Sequence, residues 1–244
     1  MKLLLHACCA PCTLEPLRIL AQEGHDITVS YNNSNIHPRS EYDKRLAVLV
    51  DYCQSQGIEL VEGIYDPQSW ARVAGVFGDN PETRQQRCRQ CYRLRLEEAA
   101  RFAATHGFEG LSTTLDVSPY QYIPVIEEEL NRACQPWGLT AVFRDFTPYY
   151  PQATKLSRAM GMYRQNYCGC SLSDAEARRE RQERAQQRKE QKERAAALRA
   201  DQDKIAQEQR AEAARQKAAY QAKRAAQRAA LKAYKQAQRT DQDF

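Results

Sequence analysis

Every glycine and every proline in this chain, ten of each, lies before Asp174. From there to Phe244 the sequence is built of Ala, Gln, Arg, Lys and Glu, all strong helix formers, with no residue that breaks a helix. A chain that cannot turn sharply cannot fold back into a compact domain. The stretch 174–244 is therefore expected to be a helical or disordered tail, and 1–173 a separate domain. Charge divides at the same place. The tail carries +7 and the rest −2, which together give the chain's +5. The tail's large aliphatic residues, Leu198, Ile205 and Leu231, are too far apart for the repeating seam of a coiled coil. Such a tail reads in three ways: a solvated appendage with no specific role, an electrostatic arm for RNA phosphates, or a surface for a protein partner.

The first 173 residues alternate two periodicities. Short apolar runs at Lys2–Ala7, Asp26–Tyr31, Ile58–Val61, Gly110–Leu115 and Thr140–Phe143 read as strands. Helical spacing appears from Pro16 to about Glu23, and over Glu41–Gln56, Trp70–Val76, Tyr92–Thr105, Tyr122–Ala133 and Gln152–Met162. Strand–helix alternation predicts an α/β fold with a mostly parallel sheet and flanking helices, Rossmann-like in type. Such sheets bind ligands beyond the C-terminal ends of their strands. That places Cys8–Cys12, Asn32–His37 and Asp116–Tyr120 in loops around one crevice. No G-x-G-x-x-G or Walker pattern is present, so no motif supports nucleotide binding.

No run approaches the roughly 20 apolar residues that span a bilayer. The apolar start, Met1–Leu5, is too short for the core of a signal peptide. A cytoplasmic protein with no membrane role is expected, in a compartment where thiols stay reduced. Its nine cysteines therefore call for metal or redox chemistry rather than a disulfide scaffold. They are clustered: Cys8, Cys9 and Cys12; the C-x-x-C of Cys88 and Cys91; the C-x-C of Cys168 and Cys170. Cys88 and Cys91 are expected to open the helix at Tyr92, where the helix N-terminus favours thiolate charge. Four thiolates from two segments, Cys8, Cys9, Cys88 and Cys91, suit tetrahedral zinc or a four-iron cluster. A vicinal pair fits a zinc knuckle poorly, which favours the cluster. A disulfide across one residue would be strained and easily reduced, which suits Cys168 and Cys170 to a redox role; two further metal ligands, or free thiols, is the other reading. Cys53, on the apolar face of a helix, and Cys134, at a helix end, read as small core residues.

LLLHACCAPC, NSNIHPRSEYDKR, RCRQCYRLRLEEAA, TTLDVSPY and YRQNYCGCSLS, in that order between Met1 and Ser173, resemble the epoxyqueuosine reductase family known as QueH. The tail lies outside the resemblance. The resemblance implies an oxidoreductase that converts epoxyqueuosine to queuosine at the wobble position of tRNA, the last step of queuosine biosynthesis, without cobalamin. It implies a [4Fe-4S] cluster on Cys8, Cys9, Cys88 and Cys91, and an additional metal, iron by preference, near Cys12. Cys168 and Cys170 correspond to the family's redox-active pair. The partners implied are a tRNA with a queuosine-type anticodon and an electron donor that the sequence does not identify.

Several polar residues fall in or near the expected crevice. His37 is a proton donor or a loop anchor. Asp116, Ser118, Tyr120, Arg164 and Tyr167 are substrate contacts or ordinary loop residues. Arg84, Arg87, Arg89, Arg93 and Arg95 form either a basic rim for RNA or a solvated helix face. Two other function classes compete: a tRNA sulfur-transfer enzyme, which lacks the phosphate loop it would need, and a zinc-binding nucleic-acid module.

Overall fold

In the computed structural model, the described residues run from 1 to 240, with side chains to Lys232. The chain forms two compact units, Met1–Glu180 and the segment from Arg181 onward.

The first unit is organised around β1 (Lys2–His6). Leu3, Leu4 and Leu5 are wholly buried. Leu3 and Leu5 pack into a core with Leu14, Leu17, Leu20 and Leu49. Leu4 faces the other way, among Leu96, Ala99, Ala103, Ile126 and Leu130. A strand covered on both faces has no polar side to show, so it reads as a continuous apolar run. Five strands, β1, β2 (Asp26–Tyr31), β3 (Leu60–Glu62), β4 (Gly110–Thr113) and β5 (Thr140–Ala141), form one sheet in the order β3-β2-β1-β4-β5. All pairings are parallel. The chain builds outward from β1 to β3, then crosses back to place β4 on the other side of β1. The crevice of a doubly wound sheet opens at that reversal, at the C-terminal ends of β1 and β4.

The helices are α1 (Ala10–Gln22), α2 (Arg39–Gln56), α3 (Pro67–Val73), α4 (Arg84–Thr105), α5 (Ile123–Cys134), α6 (Tyr150–Ala159) and α7 (Ser171–Thr240). Two begin more than a full turn earlier than predicted. α1 starts at Ala10 rather than Pro16, because Pro11 already sits in its first turn, where a missing N–H costs nothing. Pro16 lies inside it and cannot donate to the carbonyl of Cys12. α4 starts at Arg84, so Cys88 and Cys91 lie within the helix rather than at its mouth. The strand expected over Thr140–Phe143 closes after two residues. The compositional break at Asp174 falls inside α7, whose first turns belong to the first unit. Beyond Glu180 the tail is helical as far as Thr240.

Candidate metal and thiol centre

β1 ends at His6, and Cys8 and Cys9 follow after Ala7. Cys9 is extended (φ −177°, ψ 162°) and caps α1, while Cys12 lies in the first turn. The switch from strand to helix turns all three sulfurs together: their Sγ atoms lie within 4.8 Å of one another, and Cys8 and Cys9 are 3.8 Å apart. They also meet the positive end of α1, a favourable place for thiolate charge. Among the described residues this is the one set of three metal-competent side chains so close together.

The loop is pinned from the neighbouring strands. The backbone N–H of Cys8 donates to Thr114 Oγ1 at 3.2 Å, and Asn33 Nδ2 donates to the carbonyl of Ala7 at 2.9 Å. Gln165 Nε2 donates to Cys9 Sγ at 2.9 Å. Hydrogen bonds from Cys12 and Cys9 hold the Cys8 thiol well below its usual range, against the cost of burial and with help from Arg95 and Thr114. At Cys9 the bond from Cys12 lowers the pKa, but donation to Cys8 and burial outweigh it and push the thiol up to about 12. Donation to Cys8 raises Cys12 well above its usual range. Among the three, negative charge is favoured on Cys8 over Cys9 and Cys12. A bound cation displaces the remaining protons, since thiolates are the ligands.

Cys88 and Cys91 are three residues apart on α4 and so share a face. Cys88 is half-buried and packs against the same apolar cluster as Cys8. Cys91 is buried with Trp70, Ala74 and Cys170. Burial raises both thiols. Being in the second and third turns of α4, they have no N-terminal amides to stabilise their charge, contrary to the sequence expectation.

Buried arginines supply that charge instead. Arg45, Arg87 and Arg95 are exposed by no more than 2%. Arg95 acts electrostatically on Cys8, Cys91 and Cys168, and Arg45 on Cys9 and Cys168. Arg95 is fixed by Asn33 Oδ1, and its carbonyl accepts from Asn32 Nδ2 at 2.7 Å. Arg45 pairs with Glu41 at 2.7 Å and donates to the carbonyls of Cys168 (2.8 Å) and Tyr167 (3.2 Å). Arg87 donates to Glu176 at 2.6 Å and to the carbonyl of Gly78 at 2.7 Å.

The expected basic rim does not form. Arg87 and Arg95 point inward. Arg89 and Arg93 are tied to Glu129, with Glu128 also on Arg89, and Arg84 pairs with Glu176 and Glu180. Nor is it a solvated face, since each of the five has a partner inside the first unit.

Cys168 and Cys170 are both free; Cys168 is exposed and Cys170 buried. Gly169 between them has φ +147°, and a Cβ there would meet Asn35 and Ile36 atoms at 3.1 Å. Only glycine fits this position. Its carbonyl accepts from the backbone N–H of His37 at 2.8 Å. Gln121 Nε2 approaches Cys168 Sγ at 3.7 Å, and its Oε1 accepts from Tyr92 at 2.7 Å.

The other expected residues divide. Asp116 lies just past β4, wholly buried, and neither carboxylate oxygen has a hydrogen-bond partner among the described side chains. Burial holds its pKa well above the usual range, with Asp145 and the Cys8 charge adding to it. His37 holds the loop through its backbone: its carbonyl accepts from Tyr167 at 2.6 Å. Tyr167 is thereby committed, and burial pushes it up to about 12. Arg164 is bound to Thr154 and Ser157 of α6. Ser118 receives the backbone N–H of Tyr120 in a turn, and Tyr120 is exposed, edge-on to Tyr150. Asn32, Asn33, Arg45, Gln121, Gln165 and Glu176 had no assigned role in the sequence. Their partners lie 62 or more residues away in most cases, and no local pattern reveals them.

Fold and site define an α/β protein with a thiol-rich, metal-competent centre at the C-terminal edge of a parallel sheet. The family model described as "Epoxyqueuosine reductase QueH" matches residues 3–176. Relatives of that name include one from Histophilus somni, 34% identical over 185 residues (73% of this chain, 75% of the relative). Those from Dehalococcoides mccartyi (31% identical, 72% and 93% covered) and Thermotoga maritima (32%, 72% and 91%) match over similar lengths. The chain belongs to the epoxyqueuosine reductase QueH family.

Proposed function

We propose that this chain reduces epoxyqueuosine to queuosine in tRNA. The observation that carries the reading, beyond family membership, is the meeting of the Cys8, Cys9 and Cys12 sulfurs within 4.8 Å past the end of β1, with buried Arg45 bonded to the Cys168 carbonyl and buried Arg95 beside the same thiols. An electron-transfer centre needs several thiolates in one low-dielectric place, and fixed positive charge offsets part of the burial cost that raises these thiols.

The donor set suits a soft, thiolate-bound metal. In this reading Cys8, Cys9, Cys88 and Cys91 hold a [4Fe-4S] cluster, and Cys12 helps to hold an additional metal. When bound, the cluster supplies one-electron transfers and the additional metal supplies Lewis acidity toward the epoxide oxygen. No cobalamin is needed.

Converting the epoxide to an alkene releases water and takes two electrons and two protons. Cys168 and Cys170, as a dithiol, provide that count: forming the S–S bond liberates two electrons and two protons. Exposed Cys168 meets an external reductant, and buried Cys170 closes the pair. Arg45 holds the backbone of that loop. Asp116, retaining its proton beyond the usual carboxylate range, serves as a proton source at the same edge of the sheet.

The test is anaerobic turnover of epoxyqueuosine-containing tRNA with a chemical reductant, read by nucleoside mass spectrometry alongside metal analysis. Queuosine formation with about four or five irons per chain supports the reading. A colourless protein holding one zinc, with no product, overturns it.

A further inference from the structure

The second unit carries a charge pattern that helix formation alone does not require. In α7, residues Arg188, Lys192, Arg199, Arg210, Lys217, Arg224, Arg228 and Lys232 are exposed. Successive members are 4, 7 or 11 residues apart, close to one, two or three helical turns. At about 100° per residue they fall within an arc of about 80°. The stripe is about 66 Å long at a rise of about 1.5 Å per residue. Glu183, Glu190, Asp201, Glu208 and Glu212 fall within about 20° of the opposite side. Glu193 lies on a flank, and Asp203 alone interrupts the basic face, while the acidic side also carries Arg194, Arg215 and Lys223.

This separation works against the helix itself. Arg188–Lys192, Arg224–Arg228 and Arg228–Lys232 are like-charge pairs four residues apart, which destabilise a helix. Alternating signs at those positions would stabilise the same helix. Leu198, Ile205, Tyr220 and Leu231 are exposed and do not form a seam for a second helix. A linear array of cations is matched by a linear array of anions, and a nucleic-acid backbone is such an array.

We infer that this stripe is an RNA-binding arm that lies along the phosphate backbone of the tRNA substrate and captures it without reading sequence. The inference rests on the proposed function for its substrate. It gives the tail the electrostatic role that the acid-paired arginines of α4 do not perform.

Two full-length variants of equal net charge test it. One is Arg210→Gln/Lys217→Gln/Arg224→Gln/Arg228→Gln, on the stripe. The other is Arg194→Gln/Lys204→Gln/Arg215→Gln/Lys223→Gln, off it. Glutamine keeps the helix propensity of the residues it replaces. Binding of unmodified tRNA is measured between 50 and 200 mM salt, with sedimentation of the protein alone and binding to phosphatidylserine vesicles alongside. The stripe variant is expected to lower the slope of log affinity against log salt by about 3, so that it loses about 60-fold less affinity than the parent across that range. The off-stripe variant is expected to change the slope by less than about 1. Equal losses in both variants, or none in either, overturn the inference. So does a parent that self-associates through the stripe, or one that binds vesicles more tightly than tRNA. Turnover of epoxyqueuosine tRNA keeps the two readings apart. Turnover with unchanged slopes sinks the arm alone, and altered slopes without turnover sink the proposed reaction alone. If both hold, the stripe variant raises KM and leaves kcat at the parent's value.

Discussion

Arg45 Nη1 donates to the carbonyl oxygen of Cys168 at 2.8 Å, joining the middle of α2 to the C-x-C loop across 123 residues of sequence. The same guanidinium pairs with Glu41 through Nε and reaches the Tyr167 carbonyl through Nη2. A planar fork with fixed donors satisfies three acceptors at once, which a lysine ammonium cannot match in the same place.

Replacing Arg45 with Ala leaves Glu41 and two carbonyls without their partner. A loss of about 3–5 kcal/mol is expected, the usual cost of removing one side of a buried ion pair. Arg45→Lys restores the charge but not the fork, and is expected to recover part of the stability while Cys168 stays more reactive to alkylation than in the parent. Urea denaturation together with timed iodoacetamide labelling reads both effects. Equal labelling of parent and Arg45→Lys would show that the fork does not hold the loop.

The cysteines should separate by role. Cys168→Ser is expected to leave iron content intact and stop multiple turnover, because the dithiol can no longer close. Cys53→Ala and Cys134→Ala are expected to leave iron content and turnover unchanged, with losses of about 1 kcal/mol typical of single substitutions. Burial pushes both of these thiols up to about 11, so neither is poised for chemistry. Unchanged multiple turnover in Cys168→Ser would remove the pair from the reaction.

The fold was legible where burial is expressed locally. KLLLH spells a strand covered on both faces, and the alternation of strands and helices gave the parallel sheet. The cysteine groups were visible by spacing, and Cys8, Cys9 and Cys12 do meet. Helix starts were less legible. Pro16 looks like an opening residue, but Pro11 is the one in the first turn. RQQRC is polar and looks like a loop, yet it is the first turn and more of α4. The arginines were misread for a physical reason. An arginine in a helix is usually solvated, and what buries Arg87 is Glu176, 89 residues further on. No window of local sequence contains both.

Asp116 gives a pH dependence with a definite sign. Its pKa is raised in the folded state, so the native protein holds a proton that the unfolded chain releases above about pH 4. Stability contributed at this position is therefore highest below about pH 4 and falls as pH rises toward the folded-state pKa. Asp116→Asn mimics the protonated acid and removes that dependence. Its stability relative to the parent is expected to grow between pH 4 and 8 in urea melts, while turnover falls if the carboxyl supplies a proton. A constant difference across that range would contradict the burial argument.

Truncation locates the end of the site. A chain ending at Glu180 keeps Glu176, which pairs with Arg87 and Arg84, and is expected to fold and to retain chemistry at low salt. A chain ending at Asp174 strips Arg87 of its carboxylate and is expected to lose about 3–5 kcal/mol. Circular dichroism melts and iron content distinguish the two. Equal stability would mean that α7 contributes nothing to the first unit.

The boundary at Glu180 also sets a timetable. Domains fold as units during synthesis, at about 5–20 residues per second. The stretch from Arg181 to Phe244 then takes about 3 to 13 seconds to make. Every cysteine of the chain precedes it. The sheet, the thiols and their buried arginines are therefore all available to fold while the ribosome is still adding the arm, and the basic stripe, whatever it grips, is made after the site it serves.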